Sequence, residues 1–238
     1  MSITENKERI GSFTSSNIYK LMTNGKGAHG FGAPALTYIN EKRIEKRLGR
    51  SIEVESYSRA MAWGLFMENV VFSKIGLDYE ITTTKTDKHP TIKGWSGSKD
   101  LIVRGVKISD IKCYQPKNFA LYTDALLSKD PERIKKEFPK EYWQLVSNAI
   151  INDVPIVEGI TFMPYFSELE DIRTMAENYD GGDQWKYRFI VESPDAELPY
   201  LPDGGYYKNL NKFEFEVPKE DKDFLTERVE LAIELLND

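Results

Sequence analysis

The sequence predicts an α/β domain in which helices flank a mixed central sheet, and three observations carry that prediction. Segments with helical spacing alternate along the chain with short segments rich in β-branched and aromatic residues. No Pro-, Gly- or Ser-rich linker divides the chain, so residues 1–238 read as one domain. With 40% hydrophobic residues among 238, there is enough apolar material for one sizeable core.

The elements follow in order. A short helix opens at TSSNIYKLM, with Thr14, Ser15 or Ser16 as its cap. The stretch 24–32, NGKGAHGFG, reads as a mobile glycine-rich loop, and 33–50 as a helix with a basic face. A strongly patterned helix covers 58–75, with an apolar stripe through Met61, Leu65, Phe72 and Ile75. YEITTTK (79–85) is a strand, and GSKDLIVRGVKISDIKC (97–113) is a pair of strands joined by a tight turn. Helices are expected at 118–128 and 139–152. VPIVEGITFMPYF, KYRFIVES and KFEFEV have strand character, and an amphipathic helix fills 219–236. YDGGDQW and LPDGG are loops.

Composition narrows the function classes. Lys and Arg total 32 against 38 Asp and Glu, a net charge of −6. That balance argues against non-specific coating of nucleic acid but allows a local basic channel. The single cysteine, Cys113, excludes a disulfide framework, a four-cysteine zinc site and a cysteine-held iron–sulfur cluster. MSITENKERI lacks the apolar stretch of a signal peptide, and no run of about 18 apolar residues could span a bilayer. The expectation is a soluble protein of a reducing, cytoplasmic compartment with no membrane attachment.

The paired strands at 97–113 raise the chemical question. Side chains at i and i+2 share a face of a strand, so Asp110 and Lys112 point together while Ile111 and Cys113 point away. If residues 104–106 form a three-residue loop, Asp100 falls opposite Asp110; a two-residue turn would throw it to the other face. Facing carboxylates repel by roughly several tenths of a kcal/mol or more, and a divalent cation reverses that sign. Glu68 falls inside the apolar stripe of its helix, where a carboxylate needs a cation, a partner or water. Gly64, one turn earlier, would let a backbone or substrate approach. The plain alternatives are an exposed Asp–Lys pair and a glutamate reaching out from the stripe's edge.

These residues resemble the PD-(D/E)xK nuclease superfamily, and more closely the lambda-type phage exonucleases, or YqaJ-like viral recombinases. AMAWGLFMENVVF looks like the family's W-G-x-x-x-E helix, which assigns Glu68. SGSKDLIV stands where the family has a P-D-G-like turn, giving Asp100, and ISDIKC resembles its E-L-K-C strand, giving Asp110 and Lys112. EYWQLVSNAI resembles the Y-x-x-Q-V-Q helix, giving Gln144, and RIGSFTSSNI its R-x-G-x-x-T-A-S opening, giving Arg9 and Ser16. The motifs run in family order over residues 9–166, leaving 167–238 as an extension of strands and a helix.

The resemblance implies a restriction-endonuclease-like fold and a magnesium-dependent deoxyribonuclease, with Mn2+ able to substitute. It implies 5′→3′ exonuclease action on double-stranded DNA ends in phage-type recombination. In that reading Asp100, Asp110 and Glu68 hold metal, Lys112 and Gln144 manage the attacking water, and Arg9 with Ser16 receives the 5′-phosphate. It also implies a single-strand annealing partner and a homotrimer. An endonuclease of the same fold, or a decayed site that only binds DNA, stands as the alternative. The chain departs from the pattern at Lys99-Asp100-Leu101 in place of Pro-Asp-Gly, and at Asp110 in place of Glu. Asp87 is a counterpart for an additional acidic ligand only by position.

Other signals carry less. Gly25, Gly27 and Gly30 match G-x-G-x-x-G but follow a helix rather than a strand, which argues against a dinucleotide site. His29 and His89 are too few for a histidine-based centre, and Cys113 reads as core. EKRIEKRLGR and KDPERIKKEFPK read as solvated helix faces. Tyr114 and Trp143 adjoin the motifs, with core packing favoured over base stacking.

Overall fold

The computed structural model describes residues 9–52, 58–75, 79–81 and 86–237. Its first half runs β1 (Phe13–Thr14), α1 (Ala33–Leu48), α2 (Arg59–Ile75), β2 (Glu80–Ile81), β3 (Asp87–Lys88), β4 (Trp95–Gly97), β5 (Leu101–Val103) and β6 (Lys107–Lys112). Its second half runs α3 (Pro116–Leu127), α4 (Pro131–Glu137), α5 (Pro139–Asn152), β7 (Ile156–Phe162), α6 (Leu169–Glu177), α7 (Arg188–Glu192), β8 (Leu210–Glu216) and α8 (Lys219–Asn237). The main sheet has the order β2-β5-β6-β7-β8, with β6 and β7 parallel and the other pairs antiparallel. The parallel pair needs a crossover, which α3, α4 and α5 supply. A smaller sheet, β1-β4-β3, joins the N-terminal segment to the approach to the hairpin. Its strands of two or three residues are too short to leave a period in the sequence.

The hairpin meets the geometric demand made of it. Leu101 pairs with Ser109, Ile102 with Ile108 and Val103 with Lys107, so residues 104–106 are the three-residue turn. That register carries Asp100 opposite Asp110, and the Asp100 N–H still reaches the Ser109 carbonyl at 3.3 Å. Alternation then sorts the sheet into two faces. Ile108, Val157 and Phe215 point into a core shared with α1, α3, α5 and α8. Leu101, Ile111, Ile160 and Phe162 point into a second core with α2, α6 and α7.

Four expectations are corrected. Helix α2 buries Ala62, Trp63, Phe66, Met67, Val70 and Val71, whereas Met61 and Leu65 are 54% and 47% exposed. Most of this helix is apolar, so periodicity does not single out one stripe, and the bulk of Trp63 and Phe66 decides which face turns inward. Glu68 is therefore half-buried beside that face rather than inside a stripe of Leu65 and Phe72. KYRFIVES is helical, not a strand: Tyr187 and Ile190, at i and i+3, pack against α2 while Arg188 and Glu192 pair at 2.5 Å along the exposed side. Its β-propensity yields to tertiary packing, and the C-terminal third contributes one strand, β8, to the main sheet.

The opening helix is a 3-10 helix, Ser15–Met22, with Thr14 at the cap position but no side-chain cap bond. The 24–32 stretch is pinned rather than loose. Asn24 bridges Phe31, Gly25 N–H meets the Gly30 carbonyl at 3.0 Å, and Gly27 N–H meets that of Phe31 at 3.1 Å. Arg228 of α8 clamps the stretch through the carbonyls of Leu21, Thr23 and His29 and stacks on Phe31. Of the strand expected at 79–85, residues 80–81 are paired and 82–85 lie outside the described residues. No helix among the described residues is long and apolar enough to cross a membrane.

Candidate active site

Asp110, Lys112 and, just past the strand end, Tyr114 share the face of β6 that looks at α5. Helix α5 answers with Glu141, Gln144, Ser147 and Asn148, a polar seam at helical spacing that is buried rather than solvated. Gln144 Nε2 donates to Asp110 Oδ1 at 2.6 Å, and Gln144 Oε1 accepts from Lys112 Nζ at 3.3 Å. Lys112 Nζ also lies 2.7 Å from Asp110 Oδ2, with the two side chains 19% and 3% exposed. Tyr114 donates its phenol to Glu141. Further along the seam Ser147 accepts from Trp95 Nε1 at 2.9 Å and meets Ser15 at 2.8 Å, while Asn148 donates to the Ser98 carbonyl.

Asp100 closes the group from β5's approach, its Oδ2 accepting the Ile111 N–H at 2.7 Å. Burial, and then the charge of Asp110 opposite, push the Asp100 carboxyl up to about 7. Glu68 comes from α2 on the other side of the sheet. Gly64, one turn before it, passes the Cys113 carbonyl, 3.6 Å from where a Cβ would stand, so the helix lies close to the end of β6. Burial, then Asp100, with a smaller push from Asp110, raises Glu68 to about 8. Burial alone would lower the Lys112 ammonium, but Asp110 and Asp100 outweigh it and hold it above the usual range. The four groups thus act on one another from three separate segments.

Whether these residues suit a divalent cation turns on one atom. Asp110 Oδ2 is buried against the Lys112 ammonium, 2.7 Å away. A buried carboxylate oxygen met by one ammonium and set near a second carboxylate across the hairpin is a donor that would suit a hard cation. Among the described residues no three carboxylate, imidazole or thiol groups stand close enough to coordinate one ion by themselves. The donor set would fit an ion that keeps several waters, with Asp100, Asp110 and Glu68 as the residues that would hold it.

Other expected residues lie differently. Among the described residues no hydrogen bond or ion pair joins Arg9 or Ser16 to this group. They sit at the N-terminal segment, which β1 and the 3-10 helix hold against β4 and α5. Ser16 is half-buried beside Thr14 at 3.4 Å, and Arg9 Nε is buried with no acceptor among the described residues. Ser15, not Ser16, is the serine bonded into the seam. Asp87 is paired with Lys99. Cys113 and Trp143 are core residues. The sequence reading missed Glu141 and gave Tyr114 a packing role rather than a bond to Glu141, although spacing marks both: Glu141 precedes Gln144 by three on a helix, and Tyr114 follows Lys112 by two.

No family model and no curated protein matches the chain. Solved structures do. An alkaline exonuclease, LHK-Exo, from Laribacter hongkongensis superposes with a TM-score of 0.62 at 16% identity, over 96% of this chain and 89% of that one. The same protein in complex with dAMP gives 0.63 at 16% identity, over 98% and 91%. A phage-related exonuclease from Haemophilus somnus 129PT gives 0.59 at 17% identity, over 94% and 93%. The match spans both cores and the helices that carry the seam, and the chain has the restriction-endonuclease-like fold of alkaline and phage-related exonucleases.

Proposed function

We propose that the protein is a magnesium-dependent deoxyribonuclease that degrades double-stranded DNA from its ends in the 5′→3′ direction. One observation carries this reading: carboxylates from two facing strand segments and a third from a helix converge on a single lysine and a buried glutamine. The fold it shares with alkaline and phage-related exonucleases supports the choice of substrate, and the dAMP bound to LHK-Exo supports a deoxynucleotide as the ligand class.

Asp100 and Asp110 would hold a divalent cation, which when bound would neutralise charge developing on the scissile phosphate. The protein's own groups do the rest. Lys112, an ammonium held above the usual range, orients the attacking water and stabilises charge building on the phosphate. Gln144 holds the Asp110 carboxylate in its rotamer and presents its carbonyl to Lys112. Glu68 holds water at the open edge. Arg9, with a buried guanidinium nitrogen lacking an acceptor, and the Ser16 hydroxyl receive the terminal 5′-phosphate.

The test is digestion of a 5′-phosphorylated linear duplex beside a covalently closed circle, with magnesium and with chelator. The linear duplex should be degraded only with magnesium and the circle should survive. Lys112→Ala and Asp100→Ala should each lose about 100-fold or more of the rate. A 5′-hydroxyl end or Arg9→Ala should slow initiation. Cutting of the circle would replace the exonuclease with an endonuclease, and inertness with both magnesium and manganese would leave a DNA-binding protein.

A further inference from the structure

Lys112 occupies the same carboxylate oxygen that a cation would take. Its Nζ stands 2.7 Å from the buried Asp110 Oδ2. Two positive centres cannot share that oxygen at contact distance without strong repulsion. An ion binding there must have the ammonium moved aside, and the displaced charge needs an acceptor, because a buried ammonium stripped of its partner is costly. Gln144 Oε1, already at 3.3 Å, offers one lone pair but no charge. Besides Asp110, Asp100 and Glu68, all given to the ion in the reading above, the negative group that acts on Lys112 is Glu141, one helical turn before Gln144 and 8% exposed. It acts on Lys112 electrostatically, and the Tyr114 phenol holds its Oε1. Burial and Glu141 itself keep that phenol protonated, so it remains a donor.

We infer that Glu141, held by Tyr114, is a positioning residue that receives the Lys112 ammonium when a divalent cation takes Asp110. The inference rests on the metal-dependent reading above and concerns only how this chain accommodates the ion. Lys112 then has two stations on one seam, Asp110 without the cation and Gln144 with Glu141 when it is present.

The experiment is calorimetric titration of the full chain with MgCl2, without DNA, at one pH and ionic strength. Glu141→Gln should weaken magnesium binding about tenfold, the usual effect of removing a partner that orients a metal site. Lys112→Met should bind magnesium more tightly than wild type, since the competitor for Asp110 is gone. In that background Glu141→Gln should have no further effect. Tyr114→Phe, which leaves the carboxylate in place, should give a smaller weakening of the same sign and serves if Glu141→Gln does not fold. Equal weakening with and without Lys112, or none in either, would overturn the handover while leaving the nuclease reading standing. Failure of wild type to bind magnesium or manganese at all would remove both.

Discussion

The Asp110–Lys112 pair offers the sharpest quantitative test. At 2.7 Å and an effective dielectric of 20, the gross attraction is about 6 kcal/mol. Burial of both groups cancels most of it, so the intact pair contributes little net stability. The cost appears when one member is removed. Lys112→Met strands Asp110 in a buried site beside Asp100 and Glu141, and should lower unfolding stability by about 3–4 kcal/mol. Asp110→Asn leaves Lys112 with Glu141 and Gln144, and should cost less, about 1–2 kcal/mol. The double variant carries no stranded charge and should fall by about 2 kcal/mol, a coupling of roughly 2–4 kcal/mol. Urea unfolding of the four proteins in chelator measures the cycle. Adding magnesium should then stabilise Lys112→Met more than wild type, because the cation becomes the neutralising charge for Asp110. A coupling below about 0.5 kcal/mol would refute the claim that the two groups are a buried, mutually compensating pair.

Three further outcomes follow from the structure. A methyl on Gly159, which lies opposite Asp110 in the register, would stand 2.7 Å from the Tyr122 hydroxyl and 3.1 Å from Leu126. Gly159→Ala should therefore cost about 1–3 kcal/mol in urea unfolding, and an unchanged midpoint would mean that α3 does not press on the sheet there. Glu168 is raised by burial but lowered more by Lys74, Asn209 and the Tyr165 N–H, so its net shift is downward. A depressed carboxyl stabilises above its unfolded value and loses that contribution as pH falls through the folded one. Glu168→Gln should accordingly trail wild type by about 1–2 kcal/mol at pH 7 and match it in strong acid; a gap that persists in acid would assign the loss to shape rather than charge. Arg228→Met removes three bonds of 2.9, 3.3 and 3.0 Å to buried or half-buried carbonyls and should cost about 2–4 kcal/mol. Amide exchange should speed up across residues 23–32 first, and protection there equal to wild type would show that the backbone pairing alone pins the stretch.

The hairpin was legible because its logic is local. Two-residue alternation sets Asp110 and Lys112 on one face, and the length of the turn, left open between two and three residues, decides whether Asp100 joins them. Gln144 was singled out only through motif order, and Glu68 through motif order and an apolar stripe that the structure redraws. Met61 and Leu65 look like core residues until the competing stripe of Trp63, Phe66 and Val70 is weighed for volume. KYRFIVES shows the same limit in reverse, with strand-forming residues that settle as a helix because Tyr187 and Ile190 have α2 to pack on. The α5 seam was hidden for a different reason. Glu141, Gln144, Ser147 and Asn148 make a polar stripe, and a polar stripe on a helix ordinarily faces water. Only long-range placement against β6 and β4 turns it inward, and nothing within fourteen residues of helix encodes that.

The balance of charge at this seam argues for a cation more strongly than any motif does. Glu68, Asp100, Asp110 and Glu141 are four carboxylates, and the ammonium that offsets burial in Glu68 and Asp100 is that of Lys112. If all ionise, four negative charges face one positive, a formal excess of three. Burial first and this repulsion second favour protons on the carboxyls, raising Asp100 to about 7 and Glu68 to about 8, and an ion from solution would meet the same excess. A sheet selected for stability alone would not set Asp100 across from Asp110, since replacing either with an apolar residue removes the conflict at no cost in packing. The conflict is tolerable because Gln144 and the Ile111 N–H hold both carboxylates in fixed orientations at neighbouring points, a geometry that repels protons poorly and attracts a small divalent ion well.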